Sequence, residues 1–147
     1  MARGVSTMAD ATVVQSQLFD IGAMGWSDLL PGVQAKRVWA EPDTNRVAMF
    51  IRFAPDTSLP RHVHDGDELV YVLEGVLADD HGAITAGNVG YRPNGCLHTV
   101  RSPTGATVFA VISGSINPKG ADDGGGHGGL EALHQLRKRA DLLRGHA

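Results

Sequence analysis

From Val33 onward the chain is broken into short apolar or alternating runs, each closed by Pro, Gly, Asn or Asp. The runs read "VQAKRVWA", "RVAMFIRFA", "ELVYVLEGVLA", "AITAG", "NVGYR", "CLHTVRS" and "ATVFAVISGSI", with "EPDTN", "PDTSLP", "DDHG", "PNG" and "PTG" at the junctions. Runs so closely spaced leave no room for crossover helices, so a parallel sheet is excluded and an antiparallel sandwich or barrel is expected. At 147 residues the chain suits one domain of this kind.

The flanks differ in texture. Residues 1–18 are small and polar and are expected to form a loose arm unless a partner chain covers them. The barrel is placed at 19–118, followed by a glycine-rich linker at 119–129. Residues 130–147 set Leu130, Leu133, Leu136, Ala140 and Leu143 at helical spacing, which predicts an amphipathic C-terminal helix.

Within the barrel, His62 and His64 sit on alternate positions of one run, so both imidazoles project from the same strand face while Val63 points away. If "DGD" turns the chain, Glu68 enters the returning strand opposite them and shares its face with Val70 and Val72. Two neutral imidazoles and a carboxylate form a ligand set suited to non-haem iron or catalytic zinc. A third histidine, His98, opens another run just after "PNG".

These residues resemble the two motifs of the cupins. The first is filled by His62, His64, Glu68 and Gly75, the second by Gly87, Pro93, Gly95 and His98. Asp56 and Ser102 stand where that pattern has a glycine and an asparagine. The resemblance spans about 33–116 and implies an all-β fold, a double-stranded β-helix or jelly-roll barrel. It also implies one divalent metal, Fe(II) or Zn(II), held by His62, His64, Glu68 and His98, with turnover depending on Glu68. The chain is most similar to small single-domain dioxygenases of diketones and hydroxyacetophenones, then to cupin polyketide cyclases, and third to metal- or ligand-sensing modules. The sequence is not expected to supply the separate zinc-binding domain of anti-sigma factors.

Four further residues are candidates around this site. Cys96 lies two residues before His98, and Tyr91 stands at the barrel mouth. On the run 46–53, either Val47, Met49, Ile51 and Phe53 or Ala48, Phe50 and Arg52 line the interior, which makes Met49 and Arg52 alternatives for the pocket. Tyr71 has the opposite parity to Glu68 and is expected to face out, and His81 lies in a turn.

The formal charge of −3 with 20% charged residues carries no basic excess, which disfavours nucleic acid as a partner. No apolar stretch approaches membrane-spanning length, and the single cysteine excludes an intrachain disulfide. A cytoplasmic homodimer acting on a small-molecule substrate is the resulting expectation.

Overall fold

The structure is a computed structural model that describes residues 14–118. The expected linker and C-terminal helix lie outside the described residues.

Among the described residues ten strands follow in order: β1 (Ser27–Leu30), β2 (Val33–Glu41), β3 (Arg46–Phe53), β4 (Thr57–Asp65), β5 (Glu68–Asp79), β6 (Gly82–Thr85), β7 (Val89–Arg92), β8 (Leu97–Ser102), β9 (Ala106–Ser113) and β10 (Ser115–Pro118). All pairings are antiparallel, in the order β1-β2-β3-β9-β5-β8-β4-β10, with β6 and β7 also on β5. The result is a curled all-β jelly roll. Its first sheet holds β1, β2, β3, β9, β7 and the start of β5, and its second holds β10, β4, β8, β6 and the end of β5.

Period-two alternation places the core. Along β5, Glu68, Val70 and Val72 are buried while Leu69, Tyr71 and Leu73 are exposed. On β3 the inward set is Val47, Met49 and Phe53, which join Val70, Val72, Val108, Ala110 and Ile112 in one apolar cluster. The Val47–Met49–Phe53 face of β3 thus lines the barrel. Arg52 is on the other face: it is exposed, its guanidinium lies 4.2 Å over the Trp26 ring, and its Nε donates to Gln34 Oε1 at 2.6 Å. Its place as a pocket residue is thereby overturned, because the strand's parity commits it to solvent.

Three departures from the sequence expectation have local causes. "PDTSLP" was expected to be all turn, yet β4 already starts at Thr57. Pro60, which lacks a backbone N–H, is accommodated where the β4–β8 register shifts between Leu59 and His62. "ATVFAVISGSI" divides into two strands at Gly114, whose φ is +66 and where a Cβ would lie 1.4 Å from Asp65 O. Only glycine fits there, so the chain turns from one sheet into the other. Lastly, β5 has an irregularity between Val72 and Glu74 just before Gly75, at φ +76.

The two departures from the cupin pattern are also absorbed. Asp56 adopts φ +59, the left-handed conformation that glycine takes readily and that Asp tolerates better than most residues. Ser102 is fully buried, and its hydroxyl donates to Val76 O at 2.8 Å.

Candidate metal centre

Two strands bring the three imidazoles together. His62 and His64 project inward from β4, and His98 of β8 is the direct cross-strand partner of His62. Their exposures are 2%, 2% and 0%. His98 Nε2 stands 2.9 Å from His64 Nε2 and 3.0 Å from His62 Nε2, so the three rings converge on one point.

Local backbone geometry explains the convergence. The "PNG" turn closes with Cys96 N–H donating to Pro93 O. It is stitched to β4 by His64 N–H to Cys96 O at 3.0 Å and Gly95 N–H to His64 O at 2.8 Å. His62 is aimed by its Nδ1, which lies 2.8 Å from Pro60 O at the bulge and leaves Nε2 for the centre.

The residues fit a metal ion on two observations. Nitrogens about 2.1 Å from a shared ion stand about 3.0 Å apart at right angles and about 3.4 Å apart in a tetrahedron. His98 Nε2, at 2.9 and 3.0 Å from the two other Nε2 atoms, is within the range that lets the nitrogens share one ion. Burial, the largest cause, pulls the pKa of His64 and of His98 down to about 4 and lowers that of His62. All three are therefore neutral near pH 7, with lone pairs available to a cation. Buried His64 Nδ1 has no hydrogen-bond partner among the described residues, a cost of about 1–3 kcal/mol.

A charged group lies beside the imidazoles. Glu68 Oε2 is 3.7 Å from His64 Nε2 and accepts from Arg92 Nη1 at 3.1 Å. Glu68 and Arg92 face each other directly across β5 and β7. Arg92 is 3% exposed, and its Nη2 reaches Asp79 Oδ2 at 3.3 Å while its Nε reaches His98 Nδ1 at 3.1 Å. Asp79 Oδ2 is itself 3.3 Å from His98 Nδ1.

Two carboxylates and one guanidinium leave the cluster one negative charge in excess when both acids are ionised, which favours a cation. Burial raises the Glu68 pKa, with Arg92 opposing it. Burial also raises Asp79, but the His81 backbone N–H, His98 and Arg92 outweigh it and bring that carboxyl below its ordinary value.

Sequence reasoning missed Arg92 and Asp79. Parity would have found Arg92, since a buried Glu68 needs a cation across the ladder and Tyr91 points out. Tyr91 is 61% exposed, and its hydroxyl lies 3.5 Å from Asp67 Oδ2. Met49 is buried one inward row from Glu68, in the row Met49–Ala110–Val70–Gly90 beside Val47–Ile112–Glu68–Arg92. Cys96 is half-buried, and burial raises its thiol pKa, so it is a protonated thiol and a poor nucleophile. With Tyr91, Asp79 and Arg92 it lines a surface cavity of about 610 Å³.

No curated protein matches the chain. Among solved structures, an acetylacetone dioxygenase from Acinetobacter johnsonii superposes with a TM-score of 0.63 at 17% identity, over 87% of this chain and 94% of the other. The polyketide cyclase RemF from Streptomyces resistomycificus gives 0.62 at 15%, over 83% and 99%. Rhodobacter sphaeroides SigE in complex with the anti-sigma ChrR gives 0.55 at 21%, over 63% and 50%. At these identities the likeness establishes a shared fold. The sequence pattern described as the ChrR Cupin-like domain matches residues 14–117. The chain is a cupin, and it belongs to the ChrR cupin-like domain family.

Proposed function

We propose that the protein is a mononuclear metal-dependent enzyme whose ion is held by His62, His64 and His98, with Glu68 as fourth donor. The substrate class is a small keto-enol or aromatic ketone, and the reaction is oxygenation by a non-haem Fe(II) centre. The observation that carries this reading is the convergence of three buried, neutral imidazoles beside the Glu68 carboxylate, a donor set of the kind that leaves a metal open to substrate. Iron bound there would supply the capacity to take a chelating oxygen substrate and dioxygen side by side.

The chain's own residues prepare that chemistry. For His98 to ligate through Nε2 its proton must sit on Nδ1, where Asp79 Oδ2 at 3.3 Å would accept it. Arg92 Nε–H, 3.1 Å from the same nitrogen, would then cease to donate there while Arg92 keeps its bonds to Glu68 and Asp79. Arg92 holds the Glu68 carboxylate beside His64. The apolar row of Met49, Ala110 and Val70 lies on the inward face next to Glu68, limiting water on that side.

Protein purified without added metal should contain about one iron per chain and consume oxygen on β-diketones or hydroxyaryl ketones. Zinc without oxygen uptake would instead favour a cyclase. His62→Ala should lower metal content at least about tenfold, and full stoichiometry in that variant would refute the ligand assignment. A second reading, a sensing module without turnover, draws on the family match and on the deep burial of the three imidazoles. It predicts bound metal with no consumption of any ketone tested.

A further inference from the structure

Asparagine is a thermolabile residue, because the backbone nitrogen of the next residue can attack its carboxamide. How readily this happens depends on the room and freedom which that next residue leaves. Asn45 is followed by Arg46, Asn88 by Val89, and Asn117 by Pro118, which has no N–H to give up. The Asn88 carboxamide is tied down besides, donating to Thr85 Oγ1 at 3.0 Å and to Thr85 O at 3.3 Å. Asn94 alone precedes a glycine. It is exposed within the β7–β8 turn, and among the described residues no hydrogen bond holds its side chain. Gly95 takes φ +86, and a Cβ placed on it would meet nothing within 4 Å, so the space beside it is open.

One contact stands against the attack. The Gly95 N–H, the group that would react, donates to His64 O at 2.8 Å, and His64 N–H in turn donates to Cys96 O at 3.0 Å. The vulnerable nitrogen is therefore engaged by the backbone of a residue whose imidazole belongs to the metal centre. While the turn lies on β4 the nitrogen is occupied; when the turn lifts away by local opening, it is free.

We propose that Asn94–Gly95 is a site of spontaneous deamidation held in check by its stitch to His64, and that the modification, once made, unpicks the turn that positions His98. The Gly95 nitrogen bonds to Asn94 Cγ and gives up its proton, the carboxamide C–N bond breaks, and ammonia leaves with that proton. Water then opens the five-membered ring at either carbonyl to give aspartate or isoaspartate, and no oxidant or reductant enters. Isoaspartate carries the main chain through its side chain, one methylene longer, in the turn closed by Cys96 N–H and Pro93 O. His98 stands two residues beyond that turn, so the added length displaces both the stitch to β4 and the start of β8.

The test follows the full chain by peptide mass as it ages in buffer and, in parallel, in urea. The mass gain of amide to acid is expected on the peptide carrying Asn94, at least about tenfold slower in the folded protein than in the unfolded, a ratio set by how seldom the turn opens. Modified chains, separated by their added negative charge, are expected to unfold at lower urea than fresh protein. On the reading of the three imidazoles as ligands, they should also bind zinc at least about tenfold more weakly. Asn94→Gln keeps an exposed amide but closes no five-membered ring, and is expected to age without either loss. An Asn94 that gains no acid in the folded protein, or gains it as fast as in urea, overturns the proposal. So do modified chains with the unfolding midpoint of fresh protein, and so does an Asn94→Gln variant that loses stability in step with the wild type. The midpoint is read without metal, so fresh protein that binds no zinc would refute the ligand assignment while this test still decides.

Discussion

The two ends of the barrel interior are built on opposite principles. Around Val70, Val72, Val108 and Ala110 every inward side chain is apolar, whereas around His98 the interior holds three imidazoles, two carboxylates and a guanidinium. The first region is stabilised by removing hydrocarbon from water, about 25 cal/mol per Å². The second must recover the cost of desolvating charge through pairing alone, and pairing of that kind rarely exceeds its own cost. The apolar half therefore makes the fold, and the polar half is maintained at the expense of stability for what it binds.

The contrast is open to breakage at Arg92. Arg92→Leu should destabilise the protein by about 3–5 kcal/mol, because Glu68 and Asp79 lose their shared cation while still buried. Urea unfolding measures this, and a loss below about 1 kcal/mol would mean that the polar end is wetter than its burial suggests. At the apolar end, Met49→Ala should cost about 2–4 kcal/mol with metal content unaffected, read by the same unfolding curve and by elemental analysis.

Acid sharpens the distinction by acting on the polar end. His64 and His98 have folded pKa values of about 4, below an unfolded value near 6.5. The unfolded chain thus binds protons first. The stability contributed by neutral imidazoles is complete above about pH 6.5 and is lost as pH falls from there through 4. Denaturation of metal-free protein at a series of pH values should trace that window, and elemental analysis over the same range should show metal leaving as its ligands protonate. The smallest effect belongs to His81→Ala, whose imidazole is exposed in the β5–β6 turn: a change within about 0.5 kcal/mol.

How far the sequence carried depended on whether one periodicity held along a strand. Where alternation was unbroken, as at Glu68–Val72 or His62–His64, inward and outward sides were legible residue by residue. The ends of strands were less so: Pro60 enters β4 through a bulge and Gly114 splits one apolar run in two, both decided by contacts with distant backbone. Arg52 had a parity that β3 alone could not resolve, since both of its faces carry large apolar side chains.

Asp79 escaped for a different reason. It is eleven residues from Glu68, so simple alternation assigns the two carboxylates to opposite sides of β5, yet both reach Arg92. The register shift between Val72 and Glu74 restores the match.

That irregularity works as a phase corrector. Upstream of it even-numbered Val70 and Val72 enter the core cluster, and downstream odd-numbered Leu77 does. Deleting a single residue there would leave each half of the strand able to pair, but would turn the Asp79 carboxylate out to solvent and leave Arg92 with Glu68 alone. One surplus residue at the middle of the longest strand thus keeps the two acidic ends of that strand converging on the same buried cation.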